Sequence, residues 1–203
     1  NRIEAAQLLA KQLMQYKPVE NTVILALTRG GVITGEVLSK QLRLPLDISM
    51  VKKIGHPENP EMAIGSVTLQ GYFIDRQDVN HEEYIKLEVK RLKELLIGQY
   101  KHYKGNDLPI NITGQTVIII DDGVATGSTI LGAVKSAQKQ KVKKIIVAVP
   151  VAPPSVVRKL EQHADEVICL HATEDFTGIS QFYRDFEQVE DVNVREILTH
   201  GIA

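Results

Sequence analysis

Cysteine is nearly absent: Cys169 is the only one in 203 residues. That excludes an internal disulfide framework and fits a reducing cytosol. Its strand-like surroundings, Glu166 to Leu170, read as a buried structural thiol rather than a nucleophile. Neither sign of charge is in excess, with Lys+Arg 24 against Asp+Glu 25 and a formal net charge of -1. Nothing there calls for nucleic acid or an anionic membrane as partner. No apolar run is long enough to span a bilayer, no signal peptide is visible, and no repeat or low-complexity tract occurs. His81, His102, His163, His171 and His200 lack metal-ligand spacing. The P-loop pattern and the dinucleotide fingerprint G-x-G-x-x-G are also missing. The start at Asn1 rather than Met leaves room for a short preceding segment. What is left is a chain of one-domain length, long enough to bury a sizeable core.

The pattern of that chain is an alternation of strands and helices. A helix is expected over 2–16, with Ile3, Leu9, Leu13 and Tyr16 on one face and Lys17-Pro18 ending it. A strand over 22–27 and a helix over 32–42 follow. A second strand runs from 46 to 54, and two short ones lie at 63–69 and 71–75. A charged helix spans 82–103. Next come a strand at 116–120, a helix over 128–140, a strand at 144–150, a helix over 153–163 and a strand at 166–170. Short helices are expected at 179–186 and 192–200. Repeated strand-helix-strand units imply an α/β fold: a doubly wound, mainly parallel sheet with helices on both faces.

The most informative stretch is Val117-Ile118-Ile119-Ile120-Asp121-Asp122-Gly123-Val124-Ala125-Thr126-Gly127-Ser128-Thr129. An apolar strand, buried on both faces by its composition, stops at two carboxylates. The carboxyl end of a strand is where open α/β sheets place ligands. Gly123 and Gly127 permit tight turns, and Thr126, Ser128 and Thr129 can cap the following helix. The free N–H groups and dipole of that helix start favour a phosphate. The carboxylates repel a phosphate and suit a ribose diol or a metal. One Asp here would be an ordinary cap; two, followed by this loop, point to a ligand carrying both a phosphate and a diol.

Two further segments accompany it. Ala26-Leu27-Thr28-Arg29-Gly30-Gly31-Val32 is again strand, glycine turn and helix, with Thr28, Gly30 and Gly31 able to offer N–H groups and Arg29 a charge. Val51 to Glu61 carries Lys52 and Lys53, which alternation sends to opposite faces, so one of them suits an ordinary surface role. Gly55 to Met62 then reads as a mobile lid containing His56, Glu58 and Glu61, or else as a plain surface loop.

On these residues the chain resembles the type I phosphoribosyltransferases. Apolar strand, two acids and a T-G-x-T-like loop are similar to that family's motif for phosphoribosyl pyrophosphate (PRPP). Text such as R-G-G-V, K-I-G-x-P-x-N-P-E-x-A-I-G and F-Y-x-D-F-x-Q-V resembles a group of stand-alone bacterial phosphoribosyltransferase-domain proteins. The resemblance implies one domain over 1–203, with a core at about 20–165 and a small C-terminal hood at about 171–203. It implies a transfer of 5-phosphoribosyl from PRPP to a nitrogenous, purine-like base, with release of pyrophosphate and a need for Mg²⁺. It implies a homodimer in the cytoplasm, with small molecules rather than nucleic acid or membrane as partners. Asp121 and Asp122 would hold the ribose hydroxyls and meet the metal indirectly, via PRPP or water. Gly123, Val124, Ala125, Thr126, Gly127, Ser128 and Thr129 would hold the 5-phosphate. Thr28, Arg29, Gly30 and Gly31 would hold pyrophosphate, with a cis peptide at Thr28-Arg29 or Arg29-Gly30. Lys52, Lys53 and His56 would reach pyrophosphate or the acceptor.

The resemblance also narrows the acceptor. Hypoxanthine-guanine enzymes carry a third acid four places after the first, where this chain has Ala125. The loop is closer to the D-D-x-x-A-T-G of adenine enzymes, so acid-base help falls to Glu58 or Glu61. In the hood, Phe176 is the expected stacking partner for a base, while Phe182 and Phe186, at helical spacing, are expected to pack in the core. Two functional classes stand: a base-specific transferase, and a PRPP- or nucleotide-binding regulator with the same fold. The lack of a helix-turn-helix extension and of basic excess favours the enzyme. An unrelated nucleotide-binding protein leaves the Asp pair unexplained.

Overall fold

A computed structural model describes residues 1–16, 20–69, 71–74, 81–105 and 109–200. The expected stop at Lys17-Pro18, the end of a strand at Asp75 and the last three hood positions lie outside them. Five strands, β1 (Thr22–Leu27), β2 (Leu46–Ser49), β6 (Thr116–Ile120), β7 (Lys144–Ala152) and β8 (Glu166–Ala172), form one sheet in the order β2-β1-β6-β7-β8. Every pairing in it is parallel. All residues of β1 and β6 are buried, the apolar run after Thr22 and Thr116 included, as in a parallel strand covered on both faces. Even-numbered residues such as Ile24, Ile118, Ile146 and Ala148 face one apolar cluster with helices α1 (Arg2–Gln12) and α2 (Gly30–Leu42). Odd-numbered residues such as Val23, Val117, Ile119 and Val147 face a second cluster with α4 (Ser128–Lys139) and α5 (Pro154–Glu161). Helices therefore cover both faces of a parallel sheet, as the alternating pattern predicts.

Helix α1 departs from expectation in one respect. Its buried residues are Arg2, Ala6, Leu9 and Ala10, followed by Leu13, while Ile3 is half exposed. The stripe at positions 2, 6, 9, 10 and 13 lies one residue round the helix from Ile3, and a charged residue occupies its first position.

The expected strand over 46–54 is two strands in two sheets. After β2 the chain leaves the parallel sheet, and β3 (Lys52–His56) pairs antiparallel with β4 (Asn59–Val67), which pairs with β5 (Tyr72–Ile74). Residues 55–62, expected as a loop, are thus the tip of a β-hairpin with register shifts around Gly55. Tyr84, in helix α3 (Glu82–Lys104), donates to the Gly55 carbonyl at 3.0 Å and ties the hairpin to that helix. Beyond β8 only a 3₁₀ turn, Ile179–Phe182, occupies the expected helix over 179–186. Helix α6 (Asp191–His200) ends the described chain and packs on α2 and α3. Among the described residues, no helix is long and apolar enough to cross a membrane.

Candidate functional site

The carboxyl ends of β1 and β6 are neighbours in the sheet, so the glycine turn after β1 meets the Asp pair after β6. The contact leaves no room for side chains on the glycines. A Cβ on Gly30 would lie 1.9 Å from Asp122 Oδ2. On Gly31 it would lie 2.8 Å from the Ile120 carbonyl oxygen and 3.0 Å from Asp121 Oδ1. The peptide bond between Thr28 and Arg29 is cis.

The two carboxylates have different surroundings. Asp122 is buried, and its Oδ2 accepts from Arg2 Nε at 2.6 Å. Its backbone carbonyl accepts from the Tyr183 hydroxyl at 2.5 Å. Asp121 is half-buried, and its Oδ1 accepts from the Asp122 N–H at 2.9 Å. Burial, then the charge of Asp122, holds the Asp121 carboxyl well above the usual carboxylate range. Burial likewise raises the Tyr183 hydroxyl, with the Asp122 charge adding to it.

After the Asp pair, Gly123 packs against Ile179 and Val151, and Val124 N–H donates to the Val151 carbonyl at 2.9 Å. The loop is thereby pinned to β7 and to the C-terminal segment. Thr126, Ser128 and Thr129 do not cap α4. Gly127 does, with φ of 78°, and no side chain bonds the helix start. Glycine adopts this positive φ at no steric cost, and the Thr126 hydroxyl bonds Ser128 Oγ at 3.5 Å instead. Ala125, Thr126, Ser128 and Thr129 are exposed around this helix start, whose N–H groups no side chain bonds and where an anion can approach.

Arg29 lies between two pockets. One, of about 360 Å³, includes Thr28, Arg29, Lys52, Tyr103 and Asp191. There Asp191 Oδ1 lies 3.5 Å from Arg29 Nη1 and accepts from the Tyr103 hydroxyl at 2.7 Å. Burial and this bond push the Tyr103 hydroxyl up to about 12. The other pocket, of about 370 Å³, includes Arg2, Arg29, Gly30, Asp122 and Phe186. Lys52 therefore lines the same pocket as Arg29, whereas Lys53 is exposed on the hairpin and pairs with Glu61 at 3.1 Å. Glu58 is exposed, and its N–H donates to His56 Nδ1 at 3.2 Å. His56 meets His81 edge-on, with ring centroids 5.6 Å apart. Strand alternation separates Lys52 from Lys53, and the hairpin keeps Glu58 and Glu61 among their own neighbours.

The C-terminal rings are also arranged differently from expectation. Phe182 and Phe186 are half-buried, and neither joins an apolar core cluster, because no helix forms to hold them at i,i+4 spacing. Phe182 packs on Phe176 at 5.2 Å and on His171 at 5.7 Å. Phe186 carries the Arg2 guanidinium over its ring at 3.9 Å. A pocket of about 300 Å³ lies alongside, with Leu8, Val151, His171, Phe182 and Tyr183 in its wall. Arg2 is the residue that sequence reasoning missed. A lone arginine in an otherwise amphipathic helix carries no local signal for a partner 120 positions away.

The profile of the phosphoribosyl transferase domain matches residues 1–187. A Mycobacterium tuberculosis protein provisionally named a phosphoribosyl transferase is 34% identical over 200 residues, covering 96% of this chain and 45% of its own length. The chain thus spans about half the length of the curated relatives it matches. The crystal structure of TT1426 from Thermus thermophilus superposes with a TM-score of 0.89 at 32% identity, covering 100% of this chain and 98% of that one. A hypoxanthine phosphoribosyltransferase from Staphylococcus aureus shares the fold at a TM-score of 0.51 and 18% identity, over 91% of this chain and 80% of that one.

Proposed function

This chain belongs to the phosphoribosyl transferase domain family, and from that premise we propose that it transfers 5-phosphoribosyl from PRPP to a nitrogenous base, releasing pyrophosphate. The observation that carries the reading is the close packing of Gly30 and Gly31 on Asp121 and Asp122. It joins a loop suited to pyrophosphate and a loop suited to a ribose diol within a few ångströms, as a single donor needs.

Cleavage of the C1–O bond builds positive charge on the sugar and negative charge on pyrophosphate. Arg29, Lys52 and the N–H groups at Thr28, Gly30 and Gly31 would stabilise the departing anion. Asp121 and Asp122 would hold the diol and favour the cationic sugar. The exposed start of α4, with Thr126, Ser128 and Thr129, would take the 5-phosphate. Positioning and electrostatics supply most of the rate in such a reaction. Among the described residues, no three His, Cys, Asp or Glu side chains cluster to hold a metal. Asp121 and Asp122 would meet a Mg²⁺ ion indirectly, through PRPP or water. When bound, the ion would neutralise charge on the leaving group.

For the acceptor we favour a flat, purine-like base in the pocket beside Phe182 and Tyr183. Its aromatic wall suits stacking, and Tyr183 and Val151 tie it to Asp122 and Gly123. Phe176, packed against Phe182, backs that wall. Lys53, Glu58, Glu61 and His56 would contribute only if the hairpin tip moves toward Arg29. A homodimer and a cytoplasmic setting are part of the same proposal.

The test is a panel of purine and pyrimidine bases incubated with PRPP and Mg²⁺, with pyrophosphate release measured. Release with at least one base is expected. PRPP binding without release from any base would leave a PRPP-binding regulator instead. Absence of PRPP binding would remove both readings.

A further inference from the structure

Arg2 is at the wrong end of its helix by the rules of local structure. A cation in the first turn opposes the helix dipole, and Asn1, with Glu4, already caps α1. Nor does the helix's own apolar stripe call for it, since Arg2 occupies a position where Ala6, Leu9 and Ala10 continue as small or apolar residues. Its side chain is only 9% exposed, and its partner Asp122 only 8%. A charge pair buried this deeply adds little over an apolar pair of equal volume, because desolvation cancels most of the attraction. Stability alone does not account for it.

The guanidinium makes three different contacts. Nε donates to Asp122 Oδ2 at 2.6 Å, Nη1 donates to the Glu187 carbonyl at 2.7 Å, and Cζ lies 3.9 Å from the Phe186 ring centroid. Asp122 is fixed from two other sides. Its carboxylate occupies the space a Gly30 side chain would fill, and its carbonyl accepts from Tyr183. Arg2 and the Gly30 backbone thus confine the carboxylate itself, Tyr183 anchors its main chain, and Phe186 and Glu187 hold Arg2 in place. The arrangement has the form of a supporting shell for a ligand-binding group.

We propose that Arg2 is a positioning residue of the transfer site: it sets the Asp122 carboxylate for the sugar diol and links that carboxylate to the C-terminal segment. The inference rests on the PRPP reading and deepens it. Arg2 acts through Asp122, so its loss weakens ligands that carry the diol and spares those that carry only pyrophosphate. Arg2→Lys keeps the charge but cannot span Asp122 and the Glu187 carbonyl with a rigid fork.

The experiment is calorimetric titration of the full chain, in Mg²⁺, with PRPP, ribose 5-phosphate and inorganic pyrophosphate, alongside thermal melting. Arg2→Met is expected to weaken PRPP and ribose 5-phosphate by about tenfold or more, with pyrophosphate changed by less than about twofold. Arg2→Lys should recover part of the loss. Added to Asp122→Asn, Arg2→Met should cost little more, because both act on the same group. Equal weakening of pyrophosphate and ribose 5-phosphate, unchanged PRPP affinity, or full additivity with Asp122→Asn would each overturn the proposal. If Arg2→Met does not fold, Phe186→Leu, which removes the surface under the guanidinium, carries the same expectations. A wild-type chain that binds no PRPP removes the donor reading and the inference with it; wild-type binding with an indifferent Arg2→Met removes the inference alone.

Discussion

The two glycines after Arg29 show how a single methyl group can decide whether a site exists. An added Cβ at Gly30 would overlap Asp122 Oδ2 at 1.9 Å, so the carboxylate must move. Gly30→Ala is therefore expected to cost PRPP binding about tenfold or more, with a smaller effect on melting than on affinity. Titration calorimetry checks it, and an alanine variant binding PRPP like wild type would show that the carboxylate's place is not fixed. Asp121 offers a test of opposite sign. Burial and the Asp122 charge hold its carboxyl above the ordinary value, so the folded chain binds that proton more tightly than the unfolded chain does. Stability from this group is present below the ordinary carboxylate value and is lost as pH rises through the raised one. Asp121→Asn removes the loss: ligand-free, it should melt above wild type at neutral pH and alike in strong acid, while binding ribose 5-phosphate poorly. A melting point below wild type at neutral pH would contradict the assigned surroundings. Of these residues, the Asp pair and the glycines were legible in the sequence because each stands at the end of an apolar strand, with its own turn and helix start within a few positions. Arg2 was not, since its meaning comes wholly from Asp122, Phe186 and Glu187, which only the fold brings to it.

Whole elements were read best where burial is two-sided. Strands β1 and β6 have unbroken apolar runs because both faces of the sheet are covered, and the sequence pattern carries that directly. The division of residues 46–54 between two sheets was hidden, since Met50 continues the alternation of Leu46 and Ile48 to the break and no glycine or proline marks it. The hairpin tip was hidden for the opposite reason. Two prolines and a glycine there signal a loop, yet Pro60 lies where β4 pairs with β3 only, and β5 joins farther along at Gly65 to Val67. A strand open on one side tolerates proline. The join between β2 and α3 depends on one buried acid. Asp47, 1% exposed, accepts from the Tyr100 hydroxyl at 3.1 and 3.2 Å and from Ile110 N–H at 2.7 Å, with Lys104 Nζ at 3.6 Å. Asp47→Ala would leave a buried ammonium and three donors, the Ile48 N–H among them, without this acceptor, an expected loss of about 3–5 kcal/mol. Tyr100→Phe removes one donor and should cost about 1 kcal/mol. Urea unfolding measures both, and an Asp47→Ala loss no larger than that of Tyr100→Phe would show that the acid does not organise the join.

At the scale of the molecule, the site closes the chain on itself. Arg2 near one end and Glu187 toward the other are bonded to each other, and Asp191 at the start of α6 reaches Arg29 on the first ligand loop. The order of elements in sequence does not disclose this, because neither end carries the motif; the central Asp pair does. A donor that occupies both the Arg29 turn and the Asp pair should therefore stabilise segments it does not touch. Ligand at about 100 times its dissociation constant adds about 2.7 kcal/mol to folded-state stability. For amides that exchange only when the site opens, that is about a hundredfold slowing. Hydrogen exchange with saturating PRPP is expected to slow the first turn of α1 and residues 183–189 together with 121–129. Inorganic pyrophosphate, which lacks the diol, should protect the turn at 28–31 and leave 183–189 closer to the free protein. Protection by PRPP confined to 121–129 would mean that the C-terminal segment only covers the sheet and takes no part in binding.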